Sequence, residues 1–283
     1  MKLCVRSRAA GVSLACSVAV LAAPGPGSAQ TAAQAGRTGA GPHVRVELIA
    51  DRAVPGHGMR LGLKFDLDKD WHIYWQNPGD SGGPPVVTWT LPPGLMAAGF
   101  EWPSPERIDI GGLVNYGYHG SVVLPVAMAV AADARIPAGL AVKASVRWMA
   151  CANLCVPGKA DLVLQFPLAA GDQAQVDGWK AAIDAARRLV PTPAPASWTM
   201  SATSRGETFV VDLLTGSREE QAVFFPLELS QVNDSAAQAA TPLPNGVRLT
   251  LAKSSQLAKE PALLRGVVTL PGGRSHTVEA AVR

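Results

Sequence analysis

The sequence predicts an all-β protein in which an antiparallel β-sandwich is followed by a linker helix and a second, smaller β domain. Three observations predict this organisation. Many short segments alternate apolar and polar residues with the period of a half-buried strand. Turn signals rich in Gly and Pro separate these segments at short intervals. Residues 172–190 alone switch to helical spacing, and Pro191 ends that pattern.

The first β domain is predicted to span residues 43–170. Its first strands begin after His43, where Val44, Val46 and Leu48 alternate with other side chains. Further strands are predicted at residues 59–67, 122–130, 142–148 and 161–166, and turns at residues 77–80, 82–85, 92–94 and 103–105. Strands and turns at this spacing are typical of an antiparallel sandwich.

The second half begins with a predicted helix and a Pro-rich linker, residues 171–195. The apolar residues at helical spacing are Val176, Trp179, Ile183, Ala186 and Val190. Residues 191–195 read Pro-Thr-Pro-Ala-Pro, which predicts a stiff connection. The second β domain, residues 196–283, has predicted strands at 208–214, 222–225, 247–252, 263–270 and 276–282.

The N-terminus predicts export. Lys2, Arg6 and Arg8 precede an apolar run over residues 9–23, and small residues at Gly27 and Ala29 suit cleavage before Gln30. We therefore expect a signal peptide at residues 1–29 and a flexible leader at 30–42. The apolar run is too short to span a bilayer, and no later segment is longer, so we expect a soluble periplasmic protein.

Composition excludes several classes of function. Of the 283 residues, 48% are hydrophobic and 17% are charged, which is a globular composition. The signal peptide holds three basic residues and no acid, so the mature chain has equal numbers of basic and acidic residues. This balance predicts neither nucleic acid nor an anionic membrane surface as a partner. No Gly-x-Ser-x-Gly motif supports a serine hydrolase.

Cys151 and Cys155 are the only cysteines expected to remain after Cys4 and Cys16 leave with the signal peptide. Four extended residues span roughly 13 Å, whereas disulfide Cα atoms lie about 4.4–6.8 Å apart. The pair can therefore bond only if the chain turns between the two flanking strands. We expect a hairpin whose turn includes Pro157-Gly158, with the cysteines at its exposed end.

Three roles remain open for this pair. A redox role suits an exposed pair, and Arg147 and Lys159 on either side would modestly favour a thiolate. A permanent staple would contribute little, because so short a loop stabilises by only about 2 kcal/mol. A Cu(I) site is the third interpretation, with Met149 or His119 as an additional soft ligand. Zinc would need two further ligands that the local sequence lacks.

The aromatic segment at residues 71–75 has two interpretations. Trp71, Tyr74 and Trp75 could form a platform for carbohydrate, or they could pack into the core and a domain edge. Aromatic residues in such positions usually pack, and this is the interpretation we prefer.

The chain resembles the N-terminal periplasmic domain of the DsbD/ScsB family of thiol:disulfide interchange proteins, and ScsB more closely. The resemblance rests on several motifs in order: residues 71–85, 101–103, 115–118 and 123–126, and Cys151 with Cys155-Val156-Pro157. It covers residues 43–170 well, and the second β domain is also similar to the second N-terminal domain of ScsB-like proteins. It implies an immunoglobulin-like fold, no cofactor, and association with cytochrome c biogenesis and copper tolerance.

The resemblance also implies partners and roles. Cys151 and Cys155 would carry electrons from a membrane-embedded disulfide reductase to periplasmic thioredoxin-like proteins, and Cys155 would form the mixed disulfide with the client. A cap loop within residues 108–118, including Asn115, Tyr116 and Tyr118, would cover the pair.

The chain departs from the family pattern in two respects. The family commonly places more residues between its cysteines than the three found here. The chain also stops at Arg283, so we expect the membrane partner to be encoded separately.

Overall fold

The computed structural model describes residues 36–55, 58–134, 139–168 and 172–283. Over these ranges the chain forms four β-sheets and one α-helix. The predicted signal peptide and the start of the predicted leader lie outside the described residues. None of the described helices has the length and apolar character that a membrane crossing requires.

Two sheets make up the first half of the described chain. Their strands are β1 (Thr38–Gly41), β2 (Val44–Ala50), β3 (Arg60–Leu67), β4 (His72–Gly79), β5 (Val86–Thr90), β6 (Leu95–Phe100), β7 (Glu106–Ile110), β8 (Leu113–His119), β9 (Ser121–Val130), β10 (Ala141–Cys151) and β11 (Cys155–Gln165). One sheet has the order β1-β2-β3-β9-β6, and the other has the order β11-β10-β4-β8-β7 with β5 also paired to β10. All these pairings are antiparallel, so the prediction of an all-β, immunoglobulin-like fold is confirmed.

Alternating apolar residues build the core between these sheets, as the sequence pattern predicts. Along β3, Leu61, Leu63 and Phe65 are fully buried. Along β10, buried Val142, Ala144, Val146 and Trp148 alternate with exposed or half-exposed residues. The burial of Tyr74 and Trp75, both 0% exposed, excludes an aromatic platform for carbohydrate at these two residues.

Helix α1 (Gln173–Arg188) covers one flank of the first sheet and packs on β2, β3 and β9. Its buried residues are Val176, Trp179, Ile183 and Ala186, which are four of the five expected from the spacing. The side chain of Ile183 lies so near Gly62 that a Cβ there would stand 3.2 Å from its Cγ1. The helix ends before Pro191, and the backbone N–H of Leu189 donates to the Ala186 carbonyl.

Two further sheets follow the helix. Their strands are β12 (Thr192–Pro193), β13 (Thr199–Arg205), β14 (Thr208–Leu214), β15 (Val223–Pro226), β16 (Ala239–Leu243), β17 (Gly246–Ala252), β18 (Leu263–Leu270) and β19 (Arg274–Ala281). The orders are β12-β19-β18-β15 and β13-β14-β17-β16. Their shared core includes Phe209, Val211, Leu249 and Val268, all fully buried.

The structure corrects several local predictions. Residues 38–41 form β1 rather than a flexible leader, because their glycines fit closely beside β11 and Trp148. Residues 192–193 of the predicted linker form β12, which pairs in parallel with β19. Residues 77–79 continue β4 past a register shift instead of forming a turn. Strands β5, β6, β7, β13 and β16 were not predicted, because their mostly exposed residues give only a weak alternating pattern. Strands β4 and β8 were not predicted, because their nearly continuous buried residues do not alternate.

The two halves pack against each other through aromatic side chains. The ring of Phe225 lies 5.2 Å from that of Tyr116 and 6.3 Å from that of Trp75, both edge-on. The side-chain amide of Asn77 donates to the Pro226 carbonyl at 2.8 Å. The buried core of the first half therefore continues into β15 and β18 of the second, including Phe225 and Val267.

Candidate functional site

The two cysteines close the hairpin formed by β10 and β11. Cys151 and Cys155 are the last cross-strand pair, and residues 152–154 make the turn. The prediction that Pro157-Gly158 lies in the turn is wrong, because Pro157 pairs with Met149 and Gly158 with Trp148 inside the ladder. Pro157 is tolerated there because β11 is an edge strand of its sheet. A proline, which lacks a backbone N–H, can occupy an edge strand when that N–H would face away from the neighbouring strand. A side chain at Gly158 would collide with Trp148, since a Cβ would stand 2.2 Å from the indole ring.

Cys151 and Cys155 are joined by a disulfide whose Cα atoms are 4.1 Å apart. The two sulfur-bearing residues differ sharply in exposure: Cys151 is 2% exposed, whereas Cys155 is exposed. Leu154, the residue before Cys155, is 59% exposed at the tip of the turn. A partner molecule can therefore reach Cys155, while Cys151 is shielded by the sheet.

The register of the neighbouring strands decides which side chains lie beside the disulfide. Cys151 pairs with His72 on β4, and His72 pairs with His119 on β8. One step along, Ala150 pairs with Ile73 and Ile73 with Tyr118. Successive side chains point to opposite faces of a sheet. His72 and His119 therefore lie on the same face as Cys151, whereas Ala150, Ile73 and Tyr118 face the core.

Tyr74 is the side chain in contact with both sulfurs. Its hydroxyl donates to the Sγ of Cys151 at 2.7 Å and lies 3.6 Å from the Sγ of Cys155. The residue is fully buried, and this burial raises the pKa of its phenol above the ordinary value. Sequence reasoning missed this role, although the alternation of His72 and Tyr74 along β4 is the signal that places both on one face.

A short segment after β4 covers Tyr74. We call residues 80–83 the cover segment. Gly82 adopts a φ of +79° and lies so close to the phenol ring that a Cβ would stand 2.0 Å from the Cζ of Tyr74. Ser81 is held by Asn115, whose Oδ1 accepts hydrogen bonds from the Ser81 N–H at 3.2 Å and from its hydroxyl at 2.9 Å.

The residues predicted for the cap loop lie on strand β8 and do different things. Tyr116 and Tyr118 belong to the core face, where their hydroxyls donate to Asp234 at 2.9 Å and to the Pro103 carbonyl at 2.7 Å. The structure therefore does not bring these two tyrosines over the sulfurs, because strand alternation points them away. Asn115 contributes indirectly, by holding the cover segment.

His72 is a buried imidazole beside the disulfide. It is 0% exposed, and its ring lies edge-on to Tyr74 with centroids 5.1 Å apart. Neither ring nitrogen has a hydrogen-bond partner within the described part of the chain. Burial, together with the nearby His119, lowers the pKa of His72 to about 4. At neutral pH it is therefore an uncharged ring with an available nitrogen lone pair.

The flanking cations expected to favour a thiolate are remote. Arg147 and Lys159 pair with each other four residues from the cysteines, or about 13 Å along the strands. Both are exposed, and solvent screens charges over about 10 Å at 0.1 M salt. The Tyr74 hydroxyl is thus a much closer source of thiolate stabilisation than either cation.

The predicted soft ligands also have positions in the structure. Met149 lies two residues before Cys151 on β10. The Nδ1 of the exposed His119 is hydrogen-bonded to the carboxylate of Glu106, with 3.0 Å between Nδ1 and Oε2. Over the described ranges, no three or more His, Cys, Asp or Glu side chains are grouped as a metal site.

The chain is similar to known proteins in sequence and in fold. A family model described as "Thiol:disulfide interchange protein DsbD, N-terminal" matches residues 45–167, which include the cover segment and both cysteines. No curated protein matched the chain.

Among solved structures, the N-terminal periplasmic domain of ScsB from Proteus mirabilis is similar, with a TM-score of 0.66 and 21% sequence identity over 87% of this chain and 96% of that one. This likeness extends the shared fold beyond residue 167 into the second half. The periplasmic chaperone SfaE has a TM-score of 0.19 at 14% identity over 84% of this chain and all of that one. The BcpA pilin subunit of Bacillus cereus has a TM-score of 0.26 at 10% identity over 85% of this chain and 66% of that one.

Proposed function

Because residues 45–167 belong to the DsbD N-terminal family, we propose that this chain is a periplasmic thiol:disulfide interchange module that carries electrons through Cys151 and Cys155. The observation that carries the proposal is the unequal exposure of the two cysteines, 2% for Cys151 against an exposed Cys155. Exchange requires one sulfur that meets the partner and one that resolves the intermediate. A hairpin end that presents one sulfur and shields the other provides both.

In the reductive direction, exchange takes two steps. In the reduced module, the thiolate of Cys155 attacks a disulfide sulfur of the client, forming a mixed disulfide and releasing one client thiolate. Cys151, as a thiolate, then attacks the Sγ of Cys155. The internal disulfide re-forms, the second client thiolate leaves, and the two protons lost by the module's thiols neutralise the two client thiolates.

The side chains around Cys151 support the second step. The Tyr74 hydroxyl can donate to the Cys151 thiolate, since it already donates to the same sulfur in the disulfide. Hydrogen bonds to an ionised acceptor are roughly twice as strong as neutral ones, so this contact favours the thiolate over the thiol. No organic cofactor is needed, because the sulfur pair itself carries the electrons.

Two partners complete the proposed relay. A membrane-embedded disulfide reductase would reduce the Cys151–Cys155 disulfide, and periplasmic thioredoxin-like proteins would be the clients. The exposed apolar side chain of Leu154 lies next to Cys155 and would contact either partner as it approaches. Apolar contact beside the reacting sulfur helps to bring two disulfide centres into line without a large interface.

Reduction of the purified protein tests whether the disulfide is an exchange site or a staple. Thermal unfolding is compared between the oxidised and the fully reduced chain, and the reduction potential is measured against glutathione. The proposal predicts a folded reduced protein, a loss of only about 2 kcal/mol, and a pair that equilibrates with the glutathione couple. Loss of the fold on reduction would contradict it. So would resistance of the folded protein to reduction at potentials typical of structural disulfides, below about −300 mV.

A further inference from the structure

A loop of the second half, residues 233–236, contacts the cover segment. The Ser235 hydroxyl donates to the carboxylate of Asp80, the first residue of the cover segment. The same hydroxyl oxygen lies 2.8 Å from the Gly112 carbonyl in the turn between β7 and β8. One side chain of the second half, Ser235, therefore contacts both the cover segment and the neighbouring turn between β7 and β8.

Neighbouring contacts hold this loop in place. Asp234 is buried and accepts the hydrogen bond from Tyr116 at 2.9 Å. The guanidinium of Arg107 donates to the backbone carbonyls of Asp234 at 2.9 Å and Ala236 at 3.2 Å. Because β7 and β8 supply Arg107 and Tyr116, the loop is fixed to the hairpin that also anchors the cover segment.

Asp80 lies between Ser235 and the residues that contact the disulfide. Its carboxylate accepts the N–H of Val114 at 2.8 Å, and its own N–H donates to the Val114 carbonyl at 2.9 Å. Two residues further, Gly82 lies on the ring of Tyr74, whose hydroxyl contacts the sulfur of Cys151. A continuous series of contacts therefore runs from Ser235 through Asp80, Gly82 and Tyr74 to Cys151.

We propose that Ser235 is a positioning residue, through which the second half of the chain holds the cover segment over Tyr74 and limits access to Cys151. The proposal rests on the proposed function, since it gives the second half a role in setting the reactivity of the same cysteine pair. Without the Ser235 hydroxyl, Asp80 keeps its contacts to Val114 but loses its tie to the second half. The cover segment then leaves Tyr74 more often, and the shielded thiol becomes reactive more often.

Alkylation of the reduced protein by iodoacetamide tests this directly, with mass spectrometry resolving Cys151 from Cys155. A hydrogen bond to a carboxylate is strong enough for its loss to raise the open population about tenfold. We expect Ser235→Ala to accelerate alkylation of Cys151 about tenfold and that of exposed Cys155 much less. Ser235→Thr, which keeps the hydroxyl, should stay near the wild-type rate. Ser201→Ala is the matched control, because Ser201 is an exposed serine on β13 of the same half.

A double-mutant comparison distinguishes positioning through Asp80 from a general loosening of the protein. Asp80→Ala alone should also accelerate alkylation of Cys151, and adding Ser235→Ala to it should give no further acceleration. Titration of Tyr74, isolated by difference from Tyr74→Phe, should show its pKa falling toward the ordinary value in Ser235→Ala, because burial is what raises it.

A wild-type rate of Cys151 alkylation in Ser235→Ala would overturn the proposal. So would a double variant in which the accelerations caused by Ser235→Ala and Asp80→Ala multiply, because that would show that the two residues act independently. The test needs neither a client nor a membrane reductase. A failed alkylation result would therefore leave the proposed function standing, and a failed client exchange would leave the role of Ser235 standing.

Discussion

The hydroxyl of Tyr74 donates a hydrogen bond to the Sγ of Cys151 at 2.7 Å, so a buried phenol and a buried sulfur form one unit beside an exposed Cys155. A disulfide sulfur is a weak acceptor, whereas a thiolate is a strong one. The contact therefore becomes more favourable when the pair is reduced and Cys151 ionises.

Tyr74→Phe should raise the pKa of the Cys151 thiol by about one to two units. The variant keeps the ring and removes only the hydroxyl, and a hydrogen bond to a charged group contributes about 1.5–3 kcal/mol, where one pKa unit is about 1.4 kcal/mol. Thiolate absorbance across a pH titration of the reduced protein measures it. Tyr118→Phe is the matched control, since its hydroxyl donates to the Pro103 carbonyl on the core face. Equal titration curves for Tyr74→Phe and wild type would remove the assigned role of the hydroxyl.

Gly82→Ala should displace the cover segment from Tyr74. Gly82 has a φ of +79°, and a Cβ there would stand 2.0 Å from the phenol ring. Backbone strain alone costs about 1–2 kcal/mol, and the steric clash adds to it. We expect faster alkylation of reduced Cys151 and a lower thermal midpoint. Gly83→Ala controls for the substitution itself, because a Cβ at Gly83 meets nothing within 4 Å. Similar behaviour of the two alanine variants would show that the cover segment does not depend on close contact with Tyr74.

His72→Phe should reduce the acid sensitivity of the fold. The folded-state pKa of His72 is lowered to about 4 from 6.5, so between these values the unfolded chain binds the proton and the folded chain does not. Stability from this group is therefore present above pH 6.5 and is lost as the pH falls toward 4. The loss is about 2 kcal/mol after allowance for solvent screening. Thermal midpoints measured from pH 7 to pH 4 should fall less steeply in the variant.

Gln76→Ala, at an exposed and non-titrating position on the same strand, serves as the control for that comparison and should keep the wild-type slope. A wild-type slope in His72→Phe as well would mean that His72 titrates in the folded protein as it does in the unfolded chain. That result would contradict its burial with neither ring nitrogen hydrogen-bonded to any described residue.

Asp234→Asn should stabilise the protein at neutral pH. Burial, together with the nearby Asp80, raises the pKa of Asp234 to about 6, although Tyr116 and Arg107 oppose the shift. The folded chain thus holds a proton that the unfolded chain releases between pH 4 and 6, and stability from this group is lost as the pH rises through 6. At pH 7.5 the variant should gain about 1–2 kcal/mol after screening is allowed for. The amide oxygen of Asn can still accept the Tyr116 hydroxyl.

Chemical denaturation at pH 7.5 and at pH 4.5 measures that gain, which should shrink at the lower pH, where the native carboxyl is already protonated. Glu220→Gln, at an exposed ion pair with Arg218, should change little at either pH. A destabilised Asp234→Asn at pH 7.5 would show that the ionised carboxylate is needed in the folded protein.

The sequence predicted ten of the nineteen strands and the helix, because apolar alternation and helical spacing reflect burial directly. It also placed the redox candidates at a hairpin end, since two cysteines four apart can bond only across a turn. The sequence-based prediction misplaced the turn, because Pro157-Gly158 is a turn signal in isolation. In the structure, position 158 is a glycine because the ring of Trp148 leaves no room for a side chain. This close contact between Trp148 and Gly158 becomes visible only when the two strands are paired.

The contacts around the sulfurs depend on strand register, which the sequence does not state. Tyr116 and Tyr118 were plausible neighbours of the disulfide by motif, yet one step of register decides that they face the core and that His72 and Tyr74 face the cysteines. The link from Ser235 to Asp80 joins residues 155 positions apart, and Ser235 forms no part of the motifs that carry the family resemblance. Such long-range pairs come from the packing of two sheets and cannot be read from local pattern.

Trapping of a mixed disulfide tests the central claim most directly. Cys151→Ala and Cys155→Ala are each reduced, mixed with an oxidised periplasmic thioredoxin-like protein, quenched with acid, and analysed by non-reducing gel and mass spectrometry. The account predicts that Cys151→Ala accumulates a covalent complex through Cys155, because the resolving thiol is absent. It predicts that Cys155→Ala accumulates far less, because Cys151 is only 2% exposed. Equal accumulation by both variants, or none by either, would contradict it.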